Sequence, residues 1–147
     1  MTLRLALPLV ALCTLLVGFA LATPSSSDLD DVMVPLDLYL QGHATGNGDY
    51  MRQAFHPDAK LFWNDEDGLA QRPSPEFADL FTGRVAEDEA DRQRRVVSVD
   101  ISGDVAVAKI ELDYPRVFIT DYMTLIQVDG EWKIINKSFT RSPPRSR

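Results

Sequence analysis

Residues 121–134 read Asp121-Tyr122-Met123-Thr124-Leu125-Ile126-Gln127-Val128-Asp129-Gly130-Glu131-Trp132-Lys133-Ile134. Asp-Gly between two runs rich in apolar and β-branched residues marks a two-residue hairpin, because both central positions of such a turn need positive φ. The first run extends back to about Phe118 and the second forward to about Thr140, predicting two long strands. Upstream, the period of two persists. Ala106, Ala108, Ile110 and Leu112 share one face of a strand that Pro115 ends, and Ser102-Gly103-Asp104 turns the chain before it. Before that turn Val97, Val99 and Ile101 alternate with polar residues. The C-terminal half therefore reads as four strands joined by three consecutive hairpins.

Further upstream the period changes. Ser27-Asp28-Leu29-Asp30 has the form of a helix N-terminus, and Val32, Leu36, Tyr39, Leu40 and His43 follow on one helical face, with Pro35 interrupting the pattern. The stretch Gly42–Asp49 ends that helix, and Asp49 is positioned to cap a short second one over Tyr50–Phe55. Ala59–Asn64 reads as a strand, with a return over Leu69–Arg72 after the turn Asp65-Glu66-Asp67-Gly68. Ser74-Pro75-Glu76 starts a third helix, with a serine cap and a proline in the first turn, and Phe77, Leu80 and Phe81 as its buried stripe. Residues Arg84–Arg95 read as a charged, mobile loop. Helices followed by a meander of strands define an α+β class.

The two ends differ from this body. Leu5 to Ala22 is apolar, follows Arg4 and closes on Ala20-Leu21-Ala22, the small-x-small pattern of a cleavable export signal, which predicts Thr23 as the new N-terminus. An uncleaved anchor is the alternative. The expected organisation is a signal over residues 1–22, a flexible leader over 23–29, one domain over 30–141 and a polar, proline-rich tail over 142–147. Cleavage removes Cys13, the single cysteine, so no disulfide can hold the mature domain, and its ~125 residues must fold around an ordinary core. The chain's net charge of −7 argues against a nucleic-acid partner. After the signal nothing resembles a membrane segment. The expected address is the periplasm or the medium.

The order of elements resembles the nuclear transport factor 2-like superfamily, which includes the SnoaL-like proteins, and more narrowly its bacterial lumazine-binding set. The residues that carry the resemblance are Tyr39 and Gly42, Gly48-Asp49, Ala54-Phe55-His56-Pro57-Asp58-Ala59, Asp121 to Leu125 and Asp129 to Ile134. The resemblance covers about Asp30 to Arg141. It implies a cone-shaped fold: a curved antiparallel sheet wrapped around the N-terminal helices, a pocket between the sheet and the first helix, and a homodimer through the outer sheet face.

Polar residues on apolar faces are the candidates for that pocket. Tyr39 and His43 lie one helical turn apart, so their tips can meet, and histidine is the natural acid–base group near neutral pH. Equally, Tyr39 can be a core tyrosine and His43 a cap for carbonyls at the helix end. Asp121 shares a strand face with Met123 and Leu125; if that face is concave, a carboxyl enters the pocket, beside Phe62 or Trp63 from the first strand. His56 and Asp58 read as ordering residues at a junction, with Asp58 capping backbone donors. Asn136-Lys137-Ser138 fits a glycosylation sequon but falls inside a predicted strand.

Neither the histidines nor the acidic turn has metal-ligand spacing, and the sequence implies no metal and no cofactor. Three functions remain open. One is a domain binding a small organic molecule through Tyr39, His43, Phe62, Trp63 and Asp121. The second is a cofactor-free isomerase, dehydratase or hydrolase with Asp121, His43 and Tyr39 as catalytic candidates. The third is an interaction module acting through the outer sheet face.

Overall fold

The structure, a computed structural model, describes residues 26–145. The expected export signal over residues 1–22 lies outside the described residues. Helix α1 spans Ser26–Thr45 and α2 spans Gly48–Ala54; strands β1 (Phe55–Asp65) and β2 (Gly68–Pro73) form a hairpin; α3 is Ser74–Ala78; then come β3 (Gln93–Ser102), β4 (Val105–Tyr114), β5 (Val117–Val128) and β6 (Glu131–Ser142). The six strands form one sheet in the order β2-β1-β6-β5-β4-β3. Every neighbouring pair is antiparallel except β1 and β6, which run parallel. The sheet curves around α1. The α+β class and the C-terminal hairpins follow the sequence, and the β5–β6 turn has the expected geometry, with φ of 52° at Asp129 and 84° at Gly130.

The core lies between α1 and the concave face. Helix α1 contributes Val32, Leu36 and Tyr39; β4 contributes Ala106, Ala108, Ile110 and Leu112; β5 contributes Met123 and Leu125. Pro35 does not break α1. It is buried within an unbroken helix of 20 residues, which begins inside the stretch expected as a leader. The helix ends where Gly46 adopts φ of 66° and its carbonyl accepts from the Gly83 amide.

Several local expectations change. Asn47 caps α2 in place of Asp49, its side chain accepting from the Asp49 amide at 2.9 Å. Ser74 does not cap α3; its hydroxyl donates to the His56 carbonyl at 2.8 Å. Helix α3 stops at Ala78, so Leu80 leaves the expected stripe and is 58% exposed, while Phe77 and Phe81 still pack on the core. Asp58 is exposed and caps nothing; its own amide donates to His56 Nδ1 at 3.2 Å.

The charged segment before β3 is tied down. Its acidic residues pair with the arginines that follow: Asp88 with Arg92 at 2.7 Å and Glu89 with both terminal nitrogens of Arg94 at 2.6 and 2.7 Å. Arg94 also donates to the Tyr114 hydroxyl and to the His43 carbonyl, joining the segment to the C-terminal end of α1. In the tail, Arg145 packs 3.7 Å over the Phe118 ring and donates to Glu111.

Candidate functional site

Three polar side chains meet inside the apolar interior. Tyr39 stands on the inward face of α1, one turn after Leu36. Asp121 stands on β5 opposite Ile110 of β4 and Phe139 of β6, so it shares their inward face. Lys137 stands on β6 opposite Met123. Tyr39 and Asp121 are 0% exposed and Lys137 is 4% exposed.

The Tyr39 hydroxyl donates to Asp121 Oδ2 at 2.6 Å and accepts from Lys137 Nζ at 2.9 Å. Lys137 Nζ is also 3.2 Å from Asp121 Oδ1, an ion pair. That approach is off the hydrogen-bonding direction, so Oδ1 accepts no hydrogen bond among the described residues. Aromatic faces enclose the ammonium, with the rings of Tyr39, Phe77 and Phe139 at 5.1, 4.9 and 4.7 Å. Phe139 in turn stacks on Trp63 at 5.4 Å.

Burial sets the protonation states. Desolvation, reinforced by the charge and the hydrogen bond of Asp121, holds the Tyr39 phenol well above its usual range, so it remains a donor. Burial pulls Lys137 below the usual range of an amine, against the opposing pull of Asp121. A protonated phenol between an amine and a carboxylate is a short proton path. Such a group can polarise a carbonyl or hold an oxyanion while its neighbours exchange a proton.

The sequence candidates divide on this geometry. Tyr39 and Asp121 come together as the concave reading of the β5 face requires. His43 lies beside them but does not bond to them. Its ring meets Tyr39 edge-on at 4.7 Å and Phe81 at 5.1 Å, and its Nε2 is buried with no hydrogen-bond partner among the described residues. Burial, together with Lys137, Arg94 and Arg92, holds His43 neutral to well below its usual range, so it is not the group that titrates near neutrality. Nor does it cap the helix end; Arg94 reaches that carbonyl instead.

Trp63 belongs to the wall behind Phe139. Phe62 does not reach the site: it pairs with Ser138, which pairs with Tyr122, and so lies on the outer sheet face. Sequence reasoning missed Lys137. Counting by twos from Trp132 and Ile134 turns Asn136 inward, but Ile135 is an extra residue in a bulge, since Leu125 pairs with Ile134 and Thr124 with Asn136. The phase reverses there, and Lys137 points into the core.

None of the three buried groups lines the larger surface cavities of the described residues. One cavity of about 480 Å³ lies between α1 and the β5–β6 turn, against Pro35, Leu38 and Trp132. A smaller one of about 160 Å³ lies under α3, against Phe55 and Ser74. Among the described residues no three acidic, histidine or cysteine side chains converge as a metal site would require.

A curved sheet closed around a helix, with polar groups at the centre of the cone, defines a nuclear transport factor 2-like domain. The sequence model of the family described as "Putative lumazine-binding" matches residues 27–140, and the chain belongs to that family. A nuclear transport factor 2-like protein of unknown function from Methylobacillus flagellatus is 30% identical, covers 85% of this chain and 99% of its own, and superposes with a TM-score of 0.71. Another from Shewanella baltica is 24% identical over 83% of this chain and 99% of its own, with a TM-score of 0.74. A curated relative, the aldolase FrzH of a Cladobotryum species, is 19% identical over 119 residues, 81% of this chain and 95% of that protein.

Proposed function

We propose that this domain is a cofactor-independent acid–base enzyme acting on a small carbonyl compound seated between α1 and the sheet. The observation that carries the reading is the contact of Tyr39, Asp121 and Lys137 inside an apolar interior. Core packing alone does not call for such a set, because each buried charge costs several kcal/mol of desolvation, on the order of magnitude found for buried ion pairs. Tyr39 would donate to the carbonyl oxygen, and Asp121 would take a proton from the neighbouring carbon. The distant aldolase relative supports the carbonyl class, and the family description supports a small-molecule ligand. The test is proton exchange next to the carbonyl of short aldehydes and ketones in D2O, followed by NMR. Asp121→Asn should slow exchange about 10²-fold or more while changing ligand affinity only a few-fold. Full exchange in that variant rules out the carboxylate as base.

A second reading, binding without turnover, is supported by the family description. Native mass spectrometry of the protein from its own source tests it, by the mass of a co-purifying molecule. We further propose that the domain works in the periplasm or outside the cell, on the strength of residues 1–22. The N-terminal sequence of the exported fraction, expected to start at Thr23, tests this. A homodimer through the outer sheet face, where Val107 and Tyr122 are half-exposed, is part of the same proposal, and sedimentation velocity reads it directly.

A further inference from the structure

We propose that Lys137 is a nucleophile that forms an imine with a small aldehyde or ketone; the inference rests on the acid–base reading above and gives that site a covalent step. The other lysines of the chain, Lys60, Lys109 and Lys133, are exposed or half-exposed, whereas Lys137 is enclosed by aromatic rings. An amine in such surroundings loses much of the hydration that stabilises its ammonium form, which favours the free lone pair that attack on a carbonyl needs.

The neighbours supply the proton traffic. Asp121 Oδ1, 3.2 Å from Nζ and accepting no hydrogen bond among the described residues, is the open acceptor for the proton that the ammonium gives up. The Nζ lone pair then attacks the carbonyl carbon, and the π pair moves to the carbonyl oxygen. The Tyr39 hydroxyl protonates that oxygen and recovers its proton from Asp121, with which it shares a 2.6 Å hydrogen bond. The carbinolamine nitrogen passes a second proton through Asp121 to the departing hydroxyl, which leaves as water as the C=N bond forms. The sum is ammonium plus carbonyl giving a protonated imine plus water. Charge is conserved: one cation faces Asp121 before and after, so covalent capture buries no new charge. One wall of the cage, Phe77, sits on the five-residue α3, the shortest α-helix among the described residues.

The experiment treats the purified protein with millimolar propanal and sodium cyanoborohydride near pH 7, followed by intact mass and peptide mapping. The expected result is one propyl group on Lys137, gained at least about tenfold faster than on Lys60, Lys109 or Lys133, with all four lysines reacting alike in urea. Tyr39→Phe should slow the adduct about tenfold or more, and Lys137→Met should leave only the slow surface reaction. Lys137 labelled no faster than the surface lysines overturns the proposal. Propanal without reductant is titrated in parallel and read from the NMR shifts of Met123 and Phe139. Shifts without a Lys137 adduct overturn the imine and leave the acid–base reading standing; neither shifts nor adduct overturns both.

Discussion

The Lys137→Met substitution keeps most of the side-chain length and deletes its charge, leaving Asp121 buried with the Tyr39 hydroxyl as its hydrogen-bond donor. Breaking one side of such a pair costs about 3–5 kcal/mol, whereas removing both charges is far milder. Urea unfolding should therefore show Lys137→Met destabilised by that order, and Lys137→Met with Asp121→Asn should recover at least half of the loss. Equal instability of the single and double variants would mean that the two charges do not support each other. His43 makes a different prediction. Its folded-state affinity for protons is depressed by burial and by Lys137, Arg94 and Arg92. As pH falls below about 6.5 the unfolded chain gains a proton that the folded one refuses, so stability falls by up to about 1.4 kcal/mol per pH unit. His43→Phe retains an aromatic ring and should lack this part of the slope between pH 7 and pH 5. Tyr39 and Asp121 were legible because a helix and a strand with regular periods carry them. Lys137 was hidden because one extra residue, Ile135, reverses the count.

The same arithmetic fails in β3. Val97, expected inside with Val99 and Ile101, is 43% exposed, because it is the extra residue between Val96, opposite Ile110, and Ser98, opposite Lys109. Bulges are set by how neighbouring strands must curve, which no single strand's pattern contains. Turns fare better, since their chemistry is local. Gly46 and Gly103 have similar positive φ, 66° and 62°. A β-carbon at Gly103 meets nothing, while one at Gly46 collides with the backbone carbonyl of Arg84. Gly103→Ala should cost about 1 kcal/mol, the strain of the left-handed conformation alone. Gly46→Ala should cost clearly more in the same urea titration, and equal costs would show that the Arg84 strand of chain yields freely. The acidic run before β3 looked mobile because a charged stretch, Arg84–Arg95, has no apolar period to order it, and which of its acids pair with Arg92 and Arg94 shows only in the fold.

At the scale of the whole molecule, the meander was readable and the closure was not. Hairpins join strands adjacent in sequence, but the parallel seam between β1 and β6 joins Phe55 to Ile134 across most of the domain. Nothing in either segment's pattern names the other as its neighbour. The seam also brings Leu61 beside Lys137, so the site's third member depends on it. A chain ended at Val128 keeps both helices before β1 and the β3–β5 meander, yet lacks the strand at the centre of the sheet. It should unfold without a cooperative transition in urea, where the full domain gives a single one. A sharp transition in the shortened chain would show that β6 is dispensable.

That central placement of the last strand has a consequence for biosynthesis. While the chain is being made, β1 and β2 emerge early and wait with an open edge, because β6, which pairs with β1, is made after β3, β4 and β5. The sheet therefore cannot close before β6 has been made. Until then the β1 edge remains open to whatever machinery handles nascent chains. Only then does the last strand slide between its neighbours, carrying its lysine into the centre.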